Sequence, residues 1–91
     1  MTMMKKINMN MENYYRTKDL AESSFLYASG QKLITVEKED RVIWFIFEDK
    51  ESCTKLCDAY WAKDAIVNAK EFADAIRSLK DIIFSRARKG D

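Results

Sequence analysis

The chain has 91 residues, 16 of them basic and 15 acidic, with no histidine and no proline. That length makes one small domain, which buries only roughly 60–65% of its unfolded surface and has a thin stability margin. Balanced charge argues against a general polyanion binder or an acidic tail protein, and the lack of histidine removes the commonest general base and zinc ligand.

The opening "MTMMKKINMNMEN" carries the two lysines of an export signal but not its continuous apolar run, because Asn8, Asn10 and Glu12 interrupt it. Nothing approaches the roughly 18–20 apolar residues that would span a bilayer, so no membrane partner is expected. Residues 1–13 read as a loosely attached arm, 14–88 as a single α+β domain and 89–91 as a tail. Two cysteines without an export signal point to a reducing compartment, hence the cytoplasm.

"TKDLAESSFLYASG" predicts a helix over about 18–29. Thr17 or Asp19 supplies the N-cap, Glu22 stands three residues past Asp19 as in a capping box, and Gly30 suits the residue that ends the helix. Leu20, Ala21, Ser24, Phe25 and Ala28 share its apolar face. "QKLITVEKEDRVIWFIFED" then predicts a β-hairpin rich in β-branched and aromatic residues. Its turn, "KEDR", has no Asn-Gly or Asp-Gly pair, so a four-residue loop is expected, with Glu37 opposite Val42, Val36 opposite Ile43 and Ile34 opposite Phe45.

"DKESCTKLCDAYWAKD" predicts a helix over about 50–62, capped by Asp49 or Ser52. Cys53, Leu56, Cys57, Tyr60 and Trp61 form its stripe. The last helix, about 69–88, has three agreeing start signals, the first being Asn68 as an N-cap residue. Asn68 and Glu71 have capping-box spacing, and Val67 with Phe72 makes a hydrophobic staple. Ala69, Phe72, Ala73, Ile76, Leu79, Ile83 and Phe84 are its expected buried face. Ile66 and Val67 leave open a short third strand. The expected fold is a small α+β domain in the order α-β-β-α-α, with a central antiparallel hairpin packed by helices.

The chemistry-bearing residues are sparse. Cys53 and Cys57 lie one helical turn apart, with three residues between them where the redox motif has two, and no histidine is present to complete a zinc site. They read as small core residues, and no metal or cofactor is expected. Acids cluster at a turn (Glu37, Glu39, Asp40) and a helix start (Glu48, Asp49, Glu51), where solvation and capping account for them. The chain is therefore not expected to be an enzyme. A basic set on the last helix, Arg77, Lys80, Arg86, Arg88 and Lys89, supports an alternative reading as a nucleic-acid-binding accessory protein, with Tyr14, Tyr15 and Trp44 as stacking faces. Lys70–Asp74 and Arg77–Asp81 pairs at i,i+4 would neutralise part of it.

The strand carries the sharpest expectation. Val42 through Phe47 are apolar without a break, whereas a strand with one wet face alternates. Counting along the hairpin places Leu33, Val42, Trp44 and Ile46 on a second face. Either the 50–62 helix folds over that face, or a partner covers it by face or by strand edge, most simply a second copy of the chain. The leading functional reading is a non-catalytic protein-interaction module, homodimeric through this face.

The order of features, with Thr17, Asp19, Leu20, Phe25, Leu26, Gly30, Leu33, Phe45, Phe47, Tyr60, Phe72 and the run Arg77, Leu79, Lys80, resembles a small domain family of bacteria and their mobile elements, known as a domain of unknown function. The resemblance spans about 17–84. It departs at Ser23 and Ser24, where apolar residues are expected. It implies no activity, cofactor or site residue, only a bacterial or phage-related accessory setting.

Overall fold

The computed structural model describes residues 13–89, with side chains as far as Arg86. Residues 1–12 of the expected arm, all but Asn13, and the last two residues of the tail lie outside the described residues. The elements run β1 (Tyr14–Thr17), α1 (Leu20–Ala28), β2 (Leu33–Glu39), β3 (Val42–Glu48), α2 (Lys50–Trp61) and α3 (Ala69–Lys89). The expected α-β-β-α-α order is present, preceded by a strand that periodicity did not show.

The helix ends follow their caps. Asp19 accepts from the Glu22 N–H at 2.7 Å and starts α1. At its other end the Gln31 N–H reaches the Leu26 carbonyl at 3.0 Å and the Gly30 N–H reaches Tyr27 at 3.2 Å. This is a Schellman closure, with Gly30 at φ 97° where a side chain would be strained. α2 ends the same way, through Asp64 N–H to Ala59 and Lys63 N–H to Tyr60, but there the left-handed residue is Lys63 at φ 66°. Asn68 accepts from the Glu71 N–H at 2.9 Å and starts α3.

The sheet is antiparallel in the order β1-β3-β2. β3 is therefore the middle strand, hydrogen-bonded along both edges, and its unbroken apolar run presents apolar side chains to both faces of the sheet. The third strand is Tyr14–Thr17, not Ile66–Val67, which lie in the loop between α2 and α3. Two details of the hairpin differ from expectation. The turn has two residues, Asp40 and Arg41, and Glu39 stands opposite Val42, because Asp40 takes the left-handed conformation at φ 58° without a glycine. Val36 consequently faces Phe45 rather than Ile43. The register also slips between Leu33 and Thr35, with Ile34 as the extra residue of a bulge. A one-residue slip turns a side chain to the opposite face, so Leu33 packs on the helix side instead of the second face.

All three helices cover one face. Leu26 of α1, Cys53 and Cys57 of α2, and Leu79 of α3 form one buried cluster with Val36, Phe45 and Phe47. The molecule has two layers, and α2 does not fold over the far side. The α3 stripe is Phe72, Ala75, Ile76, Leu79, Ile82 and Ile83. Ala69, Ala73 and Phe84 are exposed, Phe84 by 60%. Phe84 follows Leu79 by five residues, about 140° around the helix, so it points away from the sheet. In α1, Ser23 and Ser24 are completely buried where an apolar pair was expected; Ser23 donates to the Asp19 carbonyl at 2.8 Å, and the Ser24 hydroxyl has no partner.

Candidate interaction surface

The residues expected on the second sheet face come together there, apart from Leu33. Val42 and Trp44 are half-buried, and Ile46 is already 97% covered, since only 3% of it is exposed. Ile46 sits between Arg16 of β1 and Thr35 of β2, its partners in register. The Arg16 guanidinium lies over the Trp44 ring at 3.9 Å and continues to Glu39 at 2.7 Å. Lys18 approaches the same ring at 5.8 Å. A cation over an indole face is attracted by the ring quadrupole, while its aliphatic stem shields apolar surface. Polar side chains of the same sheet thus cover much of what a helix or partner was expected to cover.

The basic residues of α3 scatter. Arg77 donates to Asp74 at 2.9 Å, one residue nearer than the expected Asp81, and Lys70 shares that carboxylate at 2.8 Å. The two cations, Lys70 foremost, hold Asp74 below the usual aspartate range. Arg86 reaches across to the Thr35 hydroxyl at 3.0 Å. Lys80 is exposed, and the side chains of Arg88 and Lys89 lie outside the described residues. Two members of the expected phosphate clamp are therefore occupied within the molecule.

A buried polar cluster ties β1 to α1. Glu22 is 6% exposed and accepts from the Tyr15 hydroxyl at 2.5 Å and the Thr17 hydroxyl at 2.8 Å. Burial alone would raise its carboxyl. The Cys57 thiol, the two hydroxyls and the Trp61 indole around it more than offset this, and the carboxyl is held below the usual glutamate range. Burial chiefly, then neighbouring Glu22, pushes the Cys57 thiol up to about 12, and burial raises the Tyr15 phenol as well. At neutral pH the cluster thus holds one charge, on Glu22, and two protonated neighbours.

The most exposed apolar surface is elsewhere, and the helical stripes did not reveal it. Trp61 is 60% exposed and Ile66 95%. They adjoin in sequence the residues of a groove of about 440 Å³, Trp61 following Tyr60 and Ile66 standing between Ala65 and Val67; the groove is lined by Phe25 of α1, Tyr60 of α2, Phe72 of α3 and Lys63, Ala65 and Val67 of the connecting loop. Phe25 and Tyr60 stack with centroids 5.3 Å apart, and Trp61 meets Tyr60 edge-on at 5.1 Å. The sequence did hold a signal for this site, three apolar residues, "AIV", in a loop with no strand partner. Val67 and Phe72, the predicted staple, form part of the groove. Among the described residues, no helix is long and apolar enough to cross a membrane, and no group of three His, Cys, Asp or Glu side chains could hold a metal ion.

Comparison with known families adds one match. The model of a domain of unknown function, DUF5659, matches residues 12–85, which include every strand and helix start described above. The chain belongs to that family. No curated protein and no solved structure matches the chain. The DUF5659 match begins two residues before β1 and ends within α3, so groove, sheet and buried Glu22 all fall inside the family domain.

Proposed function

We propose that this chain is a non-catalytic protein-interaction module whose binding surface is the aromatic groove between α1, α2 and α3. The observation that carries the reading is the exposure of Trp61 and Ile66, direct sequence neighbours of residues that line an apolar recess. Large apolar groups gathered around a concavity mark interaction sites far more often than isolated ones do. Lys63, held left-handed at the lip of the groove, adds backbone strain of the kind that functional sites retain. A photo-crosslinking residue at position 66, in cells making the full chain, tests this. Discrete cross-linked products are expected there and not at Lys38, an exposed control on β2. Equal yields at the two positions refute the reading.

Pairing of two copies through the helix-free sheet face is a second reading. The half-buried state of Val42 and Trp44 favours it. It predicts that Trp44→Lys dissociates a dimer. It has less apolar area to gain, because Ile46 is covered already and Arg16 occupies the Trp44 ring. The bacterial or mobile-element accessory setting rests on sequence resemblance. A cytoplasmic setting rests on two buried, unpaired thiols, which suit a reducing compartment.

A further inference from the structure

We infer that the occupant of the groove is a second copy of this chain, docked about a two-fold axis so that Ile66 of each copy enters the groove of the other. The inference rests on the interaction-module reading and names its partner. An isologous interface requires one patch to be complementary to itself. This patch carries both halves of such a contact side by side. Ile66 projects at 95% exposure from the loop whose neighbours Ala65 and Val67 line the recess.

Charge agrees with self-pairing. Lys63, which lines the groove, and Asp64 sit together and exposed at the loop, with no ion pair between either and another residue among the described side chains. A rim with both signs adjacent can pair with its own copy after a two-fold rotation, whereas a rim of one sign would repel itself. The net charge of the chain is only +1, so no long-range repulsion opposes association.

Area agrees as well. Trp61 and Ile66 leave roughly 150 and 165 Å² exposed, or about 630 Å² over two copies. That is about two-thirds of the roughly 1,000 Å² a specific interface needs. The exposed Lys63 and Asp64 and the half-buried Tyr60, Val67 and Phe72 are available to supply the remainder.

The competing route, pairing along the free edge of β2, is obstructed. That edge carries the Ile34 bulge and the charged run Glu37, Lys38 and Glu39, with Arg86 fastened to Thr35. Bulges and charges are the devices that keep strand edges from pairing.

Sedimentation of the full chain tests the inference. A dimer is expected, and Ile66→Asp is expected to weaken it by about a hundredfold or more, since each dimer loses two buried isoleucines. Ile66 has almost no intramolecular contact to lose, so the variant keeps its thermal midpoint when diluted to monomer. A cross-linker at position 66 of the purified chain is expected to give a product of twice the chain mass, with its second attachment at Phe25, Tyr60 or Phe72. A wild type that stays monomeric at high concentration overturns the second copy as occupant, as does a dimer untouched by Ile66→Asp. If the chain is monomeric but position 66 captures a different protein in cells, the interaction module stands and this inference falls. If it captures nothing, both fall.

Discussion

Glu22 offers the most decisive perturbation of the fold. Its carboxylate accepts two hydrogen bonds from β1, at 2.5 Å from Tyr15 and 2.8 Å from Thr17, in a site where it is 6% exposed. Glu22→Ala removes both and leaves two hydroxyls without their acceptor. Each orphaned group costs about 1–3 kcal/mol, partly offset because a charge no longer has to be desolvated. A net loss of about 3 kcal/mol is expected, against a total of roughly 5–14 kcal/mol for a chain of this size. The corresponding fall in thermal midpoint is about 12–24 °C. Glu22→Gln keeps the shape and lets the amide accept from one hydroxyl and donate to the other, so its loss is about 1–2 kcal/mol.

The pH dependence separates charge from shape. The Glu22 carboxyl is depressed in the folded state, so the unfolded chain binds its proton first as pH falls. Its stabilising contribution is complete above the unfolded value of about 4.3 and is lost as pH drops through the folded value. The stability gap between wild type and Glu22→Gln is therefore widest at neutral pH and closes in acid. Urea titrations of both proteins between neutral pH and pH ~3 measure it, and other carboxylates, Asp74 included, cancel in the difference. A gap that stays constant across this range would show that the Glu22 carboxyl is not depressed by folding, and wild type gaining on the variant in acid would show it raised. A loss below about 1 kcal/mol for Glu22→Ala would show that β1 is not held through it.

Four further outcomes are expected. Cys57, with its thiol pushed up to about 12, and Cys53, raised by the same burial, should resist iodoacetamide at pH ~8 and react only as fast as the chain unfolds; prompt labelling of either would refute their placement. Arg16→Ala should cost about 1 kcal/mol, from the lost stacking and the exposed Glu39 pair, and shift Trp44 emission in a Trp61→Phe background. Lys63→Gly should raise stability by about 0.5–1 kcal/mol, because glycine accepts φ 66° without strain, and a fall in thermal midpoint would contradict that. Ser24→Ala should be neutral or stabilising by up to about 1 kcal/mol in denaturant titration, since the buried hydroxyl it removes has no partner; a clear loss would reveal one.

Helix positions were legible because caps are local chemistry. Asp19, Gly30, Asp49 and Asn68 each act where their side chains or conformations allow. The alternation that separates Val42, Trp44 and Ile46 from Ile43, Phe45 and Phe47 was legible for the same reason, as strand period survives any turn. The turn itself was not, because it depends on one aspartate adopting a left-handed conformation that its type permits but does not announce. The placement of Leu33 depended on a bulge, and nothing in "QKLITV" marks Ile34 as the extra residue. β1 was missed because four residues, "YYRT", are too few to show a period. A helical stripe, moreover, says that one face is buried but not against which side of the sheet. That is why α2 could be expected on the far side, and why Trp61, at the end of its stripe, was expected to be covered.

The far side of the sheet bears on where the proposed partner would bind. A middle strand that is apolar on both faces must be kept dry on both, yet the helices serve only one. On the other, Arg16 lies across Trp44 with its guanidinium paired to Glu39, so its charge is never stripped of solvent or counter-charge while its stem shields the ring. This cover leaves the 36%-exposed Arg16 side chain as the outer layer over Trp44. A partner docking there would have to displace or bury a paired cation, which costs desolvation and returns little apolar area. No comparable barrier guards the groove beside Ile66, whose side chain already stands in water and gains from any apolar contact. The surface best suited to binding is thus the one where removing water requires no bond within the molecule to break.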